Sequence, residues 1–426
     1  MAFHPCVEIT VIGKWIFHSW CISYNIILDC SHEKITMNPL IFVSSTSAFF
    51  NLYQLQALYP WLATKYAANF PLAGWLNMAC LLGMMVTAPF ANRFARGFLP
   101  QRIIVSGLGC LGFLNIGVAL SESVEILFIM RLLQGLVLPY VLTATMVMVG
   151  GASNESLRLQ WVSCYVAGTI LGSTLSRFYP AYSVDLLGWQ GGFITSAGLL
   201  FLACFFVFRY TVRASVEVNV ASEKKISYFQ NFKRALTEKH LLVAYSIGFG
   251  LLYSQSAIFT VLGLSLSQPP LNQTSEEIGL LYLACLPALL AVFISPKLHK
   301  LERERTVGAF LVALLWSSVL LMGGHYNLIL LGVTGFAIST YLMQTQTTRM
   351  ISKARQVSVA FASGLYLSFY YAGGALGANI SALSFYHWGW SGALFCVALV
   401  QILIIIFVIF VSVIAHKEAA RYARVQ

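Results

Sequence analysis

The chain has 426 residues, of which 58% are hydrophobic and only 10% charged, and its formal net charge is +11 at pH 7. So few charged groups could not cover a soluble domain of this size, so the composition excludes a water-soluble globular protein. The basic residues flank apolar runs instead of gathering on one patch, so the positive balance reads as membrane topology and no nucleic-acid partner is expected.

The first 36 residues fit poorly with the rest of the chain. Val11 to Leu28 is apolar but carries Lys14 and His18, and no small-residue cleavage site comes after it. It reads either as an interfacial segment or, the expectation preferred here, as an extension ahead of a start at Met37. Beyond it, apolar runs near the roughly 20 residues that a helix needs to cross a bilayer fall at about 40–63, 72–91, 103–120, 125–149, 159–178, 190–209, 241–264, 277–295, 306–323, 326–347, 357–380 and 391–414. With both termini cytoplasmic, the inner loops and tail hold 21 of the 26 Lys and Arg residues, while the outer loops hold only Lys65. Arg131 and Arg177 alone lie inside spans.

A polar stretch divides the spans into a first six-helix bundle at 37–210, a cytoplasmic central loop at 211–240, and a second bundle at 241–426 with a short cytoplasmic tail. Landmarks recur between the halves. Ala88-Pro89 matches Ser295-Pro296 at an offset of 207, Gly168 and Gly172 match Gly373 and Gly377 at 205, and Gly188-Trp189 matches Gly389-Trp390 at 201. The order and near-constant offset predict a duplicated unit, and parallel duplicated halves place a site between them.

The chemistry is notable for what the spans lack. The nine cysteines show no metal-ligand spacing and read as small packing residues, so no metal or other cofactor is expected. All fifteen Asp and Glu residues lie in loops or termini. A desolvated carboxylate is the usual intramembrane proton site, so coupling to a proton gradient would fall to peripheral groups such as Glu122, Glu125, Asp185, His240, His325 or His387. Otherwise the ligand carries the proton, or movement is passive.

A lone arginine near the start of the fourth span costs about 2.5–3.5 kcal/mol on insertion scales, so Arg131 should face protein or a watery cavity. There it could pair an anion, orient a hydroxylated ligand or relay protons; the structural alternative is that it snorkels toward Glu125. Arg177, about 27 Å of rise into the fifth span, is expected near the outer end in a structural pair with Asp185. The glycine pairs at 168/172 and 373/377 permit close helix approach, as static packing or as sliding surfaces.

Arg131-Leu-Leu-Gln134-Gly135 resembles the RxxQG element of the major facilitator superfamily. Leu52-Tyr53-x-x-Gln56-x-x-x-Pro60, Gly168-x-x-x-Gly172 with Arg177, Asp185 and Trp189, and Ala362-Ser363-Gly364-Leu365-Tyr366-Leu367 through Tyr370-Tyr371 and Gly373 resemble its arabinose-efflux-permease-like bacterial exporters. The resemblance covers residues 40 to about 415. It implies an all-α membrane protein with twelve transmembrane helices in two pseudo-symmetric six-helix bundles. Spans one, four, seven and ten would then surround a cavity. Polar residues at helical spacing supply its walls: Tyr53, Gln56 and Pro60; Arg131 and Gln134; Tyr253, Ser256 and Thr260; Tyr341, Gln344 and Thr348. Such walls suit sugars or neutral amphiphiles and disfavour lipophilic cations.

Two departures stand out. In the gate-locking loop after span two, Asn92 replaces an acid and Ala95 a glycine, which leaves Arg93 and Arg96 to contact helix-end carbonyls. Ala57 replaces a proline, which should straighten span one. The resemblance implies a monomeric, non-enzymatic transporter in a bacterial inner membrane that exports a small organic solute, sugar-like or drug-like, by alternating access. The alternatives are a proton-independent facilitator or exchanger of a sugar or organic anion and, from another class, a transporter-derived membrane sensor.

Overall fold

The computed structural model describes residues 38–66, 71–95, 98–152, 155–213, 228–269, 271–294, 311, 313–318, 321, 325–351, 354, 356–357 and 359–425, and these are helical throughout, with short turns between. In chain order come α1 (Pro39–Leu52), a 3-10 turn at Gln56–Leu58, α2 (Tyr59–Lys65), α3 (Pro71–Ala95), α4 (Pro100–Ala119), α5 (Val124–Gly150) and α6 (Glu155–Arg213). Next are α7 (Tyr228–Thr237), α8 (Lys239–Leu266), α9 (Ser275–Leu281), a second 3-10 turn at Tyr282–Cys285, α10 (Pro287–Ile294), α11 (Tyr326–Ile351) and α12 (Val359–Val425). The helix starts are set by local chemistry. Asn38 Oδ1 accepts from the Leu40 and Ile41 amides, Ser123 Oγ accepts from Ile126, and Thr274 and Glu277 form a reciprocal capping box. The segment 1–36 and most of the predicted ninth span lie outside the described residues.

Eight helical runs among the described residues are long and apolar enough to cross a membrane. Two of them, Gln160–Tyr210 and Phe361–Val411, are 51 residues long, about 76 Å if straight, against a hydrocarbon core of about 30 Å. Each instead folds back at one glycine. Gly188 has φ 70° and Gly389 has φ 66°, a region that side chains with a Cβ rarely adopt. The return is visible in α12, where Ser384 Oγ and Cys396 Sγ stand 3.3 Å apart although twelve residues of straight helix would separate them by about 18 Å.

The repeat seen in sequence reappears as contacts. Trp189, just past the first turn, donates from Nε1 to Val118 O at 3.0 Å; Trp390, just past the second, donates to Leu321 O at 2.9 Å. Gly168 and Gly172 of α6 lie so close to α1 that a Cβ would collide with the Phe42 and Thr46 carbonyls. Gly373 and Gly377 of α12 do the same to the Phe249 and Tyr253 carbonyls of α8. The glycine pairs therefore bind span five to span one and span eleven to span seven, each within its own half. Across the halves, α3 meets α12, where a Cβ on Gly74 would stand 2.7 Å from Ala378 O, and α6 meets α9, where a Cβ on Gly279 would stand 3.0 Å from Ala181 Cβ.

Burial separates centre from rim. Lys239–Leu266 is 94% buried in its most apolar stretch, whereas the corresponding stretch of Phe361–Val411, with mean hydropathy 3.3, is 17% buried. Exposed Phe113, Phe205, Phe395 and Ile406 add to an apolar outer surface that only lipid could cover so extensively. The chain is an integral membrane protein.

Candidate functional site

Span one is not straight, contrary to the expectation drawn from Ala57. It breaks after Leu52 and resumes as α2 at Tyr59. Two residues cause the break. Pro60 has no amide to give the Gln56 carbonyl and its ring crowds that carbonyl. Arg131 of α5 donates from Nη1 to Asn51 O at 3.1 Å and from Nη2 to Leu52 O, occupying carbonyls that a continuous helix would offer to Leu55 and Gln56. The Gln56 amide turns to Tyr53 O instead, at 3.0 Å. Gln134 completes the device by accepting from Arg131 Nη1 at 2.7 Å, one turn along α5. Arg131 is 2% exposed and so does not snorkel toward Glu125, which is exposed.

The broken segment presents Gln56 to Arg177. Arg177 is buried, 1% exposed, and its partner is not Asp185, which lies exposed at the surface. Its Nε donates to Gln56 Oε1 at 2.6 Å and its Nη1 to Ser173 O at 2.6 Å. The guanidinium carbon lies 4.1 Å from the ring centre of Tyr53, 4.5 Å from that of Phe259 and 5.5 Å from that of Tyr282. Tyr53 belongs to the first half and the other two rings to the second, so Arg177 is wedged between halves. Ser173 continues the path: its hydroxyl lies 2.8 Å from the Tyr341 hydroxyl of α11. A parallel bridge runs from Asn77 Nδ2 of α3 to Ser256 Oγ at 2.8 Å and Thr260 Oγ1 at 3.1 Å on α8.

The structure therefore gathers Tyr53, Gln56, Arg131, Gln134, Ser256 and Tyr341 about one break and adds Arg177 to them. Tyr253 is placed differently, stacked toward Phe249 with its carbonyl under Gly377, and Gln344 is half-buried on α11. Asn92 and Arg93 close α3, Arg96 lies outside the described residues, and so do the side-chain contacts of all three. Sequence reasoning missed Asn77, Ser173, Phe259 and Tyr282. The only signal available was an isolated Asn or Ser in an apolar run.

Polar atoms remain without partners at the break. They are both amide atoms of Asn51 and Gln54, Gln56 Nε2, Gln134 Nε2, Arg131 Nε and Arg177 Nη2, all on fully buried residues. Buried polar atoms are rarely left so, and a group of them marks a place for water or a ligand.

A sequence model of the Major Facilitator Superfamily matches residues 41–378. The chain belongs to the major facilitator superfamily. Among curated proteins, this superfamily member is 24% identical over 425 residues to an uncharacterized transporter of Buchnera aphidicola subsp. Schizaphis graminum, covering 96% of this chain and 100% of that one. It is 22% identical over 375 residues to the inner membrane transport protein YnfM of Escherichia coli, covering 85% and 87%. Among solved structures, it resembles a bacterial homologue of the human lysosomal transporter Spinster in an inward-facing, unoccupied conformation. The TM-score is 0.66 at 11% identity, over 89% of this chain and 96% of that one. Superfamily membership makes the chain a transporter and not an enzyme.

Proposed function

We propose that this superfamily member has twelve spans in two six-helix bundles and exports a small organic solute by alternating access about the break in span one. The folded-back runs support that count, since each supplies two crossings; the broken first helix and the ninth apolar run complete it. The observation that carries the proposal is the polar path Gln56–Arg177–Ser173–Tyr341, which joins the halves through side chains able to exchange partners. These bridges, with Asn77 on Ser256 and Thr260, lie toward the end of the molecule that holds the Gly188 and Gly389 turns. With cytoplasmic termini that end is the outer one, so the described contacts correspond to a state closed outward. The relatives named as transporters, one of them of an inner membrane, support placement in a bacterial inner membrane, and the exporter resemblance supports the direction.

Thermal unfolding of the purified protein against neutral sugars, organic anions and lipophilic cations identifies a ligand class, because a ligand of the folded state raises apparent stability. The ligand found is then loaded into proteoliposomes carrying a cysteine-free background with Asn77→Cys and Ser256→Cys. Oxidative cross-linking of that pair is expected to stop counterflow and reduction to restore it. Full counterflow while cross-linked would sink alternating access at this contact.

A second reading, a proton-independent facilitator or exchanger, draws support from the absence of Asp and Glu from the core of every apolar run. It predicts that an imposed proton gradient neither drives uphill accumulation of the solute nor changes its net flux.

A further inference from the structure

The unpartnered atoms at the break are unevenly divided between donors and acceptors. Donors are Arg131 Nε, Arg177 Nη2, Gln56 Nε2, Gln134 Nε2, Asn51 Nδ2 and Gln54 Nε2; acceptors are Asn51 Oδ1 and Gln54 Oε1, with Asn77 Oδ1 at the parallel bridge. A hydroxyl brings one O–H donor with every two acceptor lone pairs, so a hydroxylated neutral ligand would carry surplus donors into a group of atoms that offers few acceptors. A carboxylate offers only acceptors.

Charge points the same way. The sequence places no Asp or Glu between Glu125 and Glu155, or between Glu155 and Asp185, which brackets both arginines. Glu125 and Asp185 are exposed, and the ion pair of His240 with Glu238, at 3.3 Å, involves neither arginine. Two guanidinium groups are thus buried without a counter-charge among the described residues. Removing such an ion from water is costly, and the ring faces around Arg177 offset only part of that cost. Carbonyl partners hold Arg131 at the helix break. Arg177 keeps a free Nη2 beside the Gln56 amide, which is fixed by its own oxygen on Arg177 Nε.

We infer that the solute is a small organic anion whose carboxylate docks on Arg177 Nη2 and Gln56 Nε2 at the broken helix. The inference rests on the transport reading above and narrows its substrate to one charge class. The anion would neutralise the wedge between Tyr53 and the rings of Phe259 and Tyr282. Binding would thereby weaken the attraction that joins the halves at that point.

The test is thermal unfolding of the full chain with isosteric pairs, benzoate against benzamide and succinate against succinamide, alongside inorganic phosphate, glucose and tetraphenylphosphonium. The carboxylates are expected to raise Tm and their amides not to. Arg177→Met should abolish that rise. Arg177→Lys should keep the rise with at least a tenfold higher half-saturating concentration, because the planar fork is lost. Equal stabilisation by the amides, a rise that survives in Arg177→Met, or no carboxylate effect on the unaltered chain would each overturn the inference. Stabilisation by phosphate alone would also overturn it, in favour of an inorganic oxyanion. Stabilisation by glucose or tetraphenylphosphonium alone would overturn it while leaving the transport reading to the cross-linking result, which does not depend on ligand charge.

Discussion

The two halves share a frame and differ in their centres. Both join two spans through one positive-φ glycine, both clip the following tryptophan to a carbonyl, and both press a glycine pair on a neighbouring helix. Yet α1 breaks at Leu52, while its counterpart α8 runs unbroken for 28 residues. Residues 326–348, the counterpart of the stretch that holds Arg131, contain no charge, and Ala382 stands 205 residues after Arg177. The helix break therefore depends on the arginine and Pro60, and the shared frame does not dictate it. Among the described residues both buried arginines, Arg131 and Arg177, stand on the side of the chain that carries the broken helix.

The largest effect should come from Arg131→Ala. It strips three acceptors, Asn51 O, Leu52 O and Gln134 Oε1, of a charged donor, and at about 1–3 kcal/mol for each buried acceptor left unmet, several kcal/mol of stability should go with transport. Unfolding in detergent and counterflow in proteoliposomes would both register it. A variant with unchanged Tm would break the claim that this arginine makes the two centres differ.

A matched pair tests the shared frame. Gly172→Ala and Gly377→Ala would each drive a methyl into a facing carbonyl, Thr46 O and Tyr253 O, and should lose similar stability, about 1–3 kcal/mol. Losses that differ several-fold in the two unfolding curves would mean that the frame is not equivalent. The smallest effect belongs to Trp189→Phe and Trp390→Phe, which remove one hydrogen bond each and should cost about 1 kcal/mol apiece. Additivity in the double variant would show that the clips act independently, as their separation predicts.

Much of the frame was legible in the sequence because its causes are local. Runs of apolar residues set the spans, and Gly188-Trp189 with Gly389-Trp390 marked the turns. The inward faces of α8 and α11 were partly legible as well, since the 3.6-residue period singled out Ser256 and Tyr341, which meet Asn77 and Ser173. The break in span one was not legible, because its cause is an arginine nearly 80 residues away capturing Asn51 O and Leu52 O. Weighing Ala57 alone also neglected Pro60, whose missing amide acts four residues back. The Arg177–Asp185 pairing failed on geometry that the sequence does contain: eight residues of helix separate the two by about 12 Å of rise, beyond an ion pair. Asn77 and Ser173 escaped because a lone short polar side chain in a span commonly bonds its own helix, as Ser173 also does to Ile170 O at 3.0 Å.

The single-glycine turns bear on how the protein meets its surroundings. At Gly188 and Gly389 two spans are joined without an intervening loop, so a protease arriving from that side finds helix on either side of the joint. An epitope tag inserted there would have to unwind the end of a membrane-crossing helix before it could be displayed.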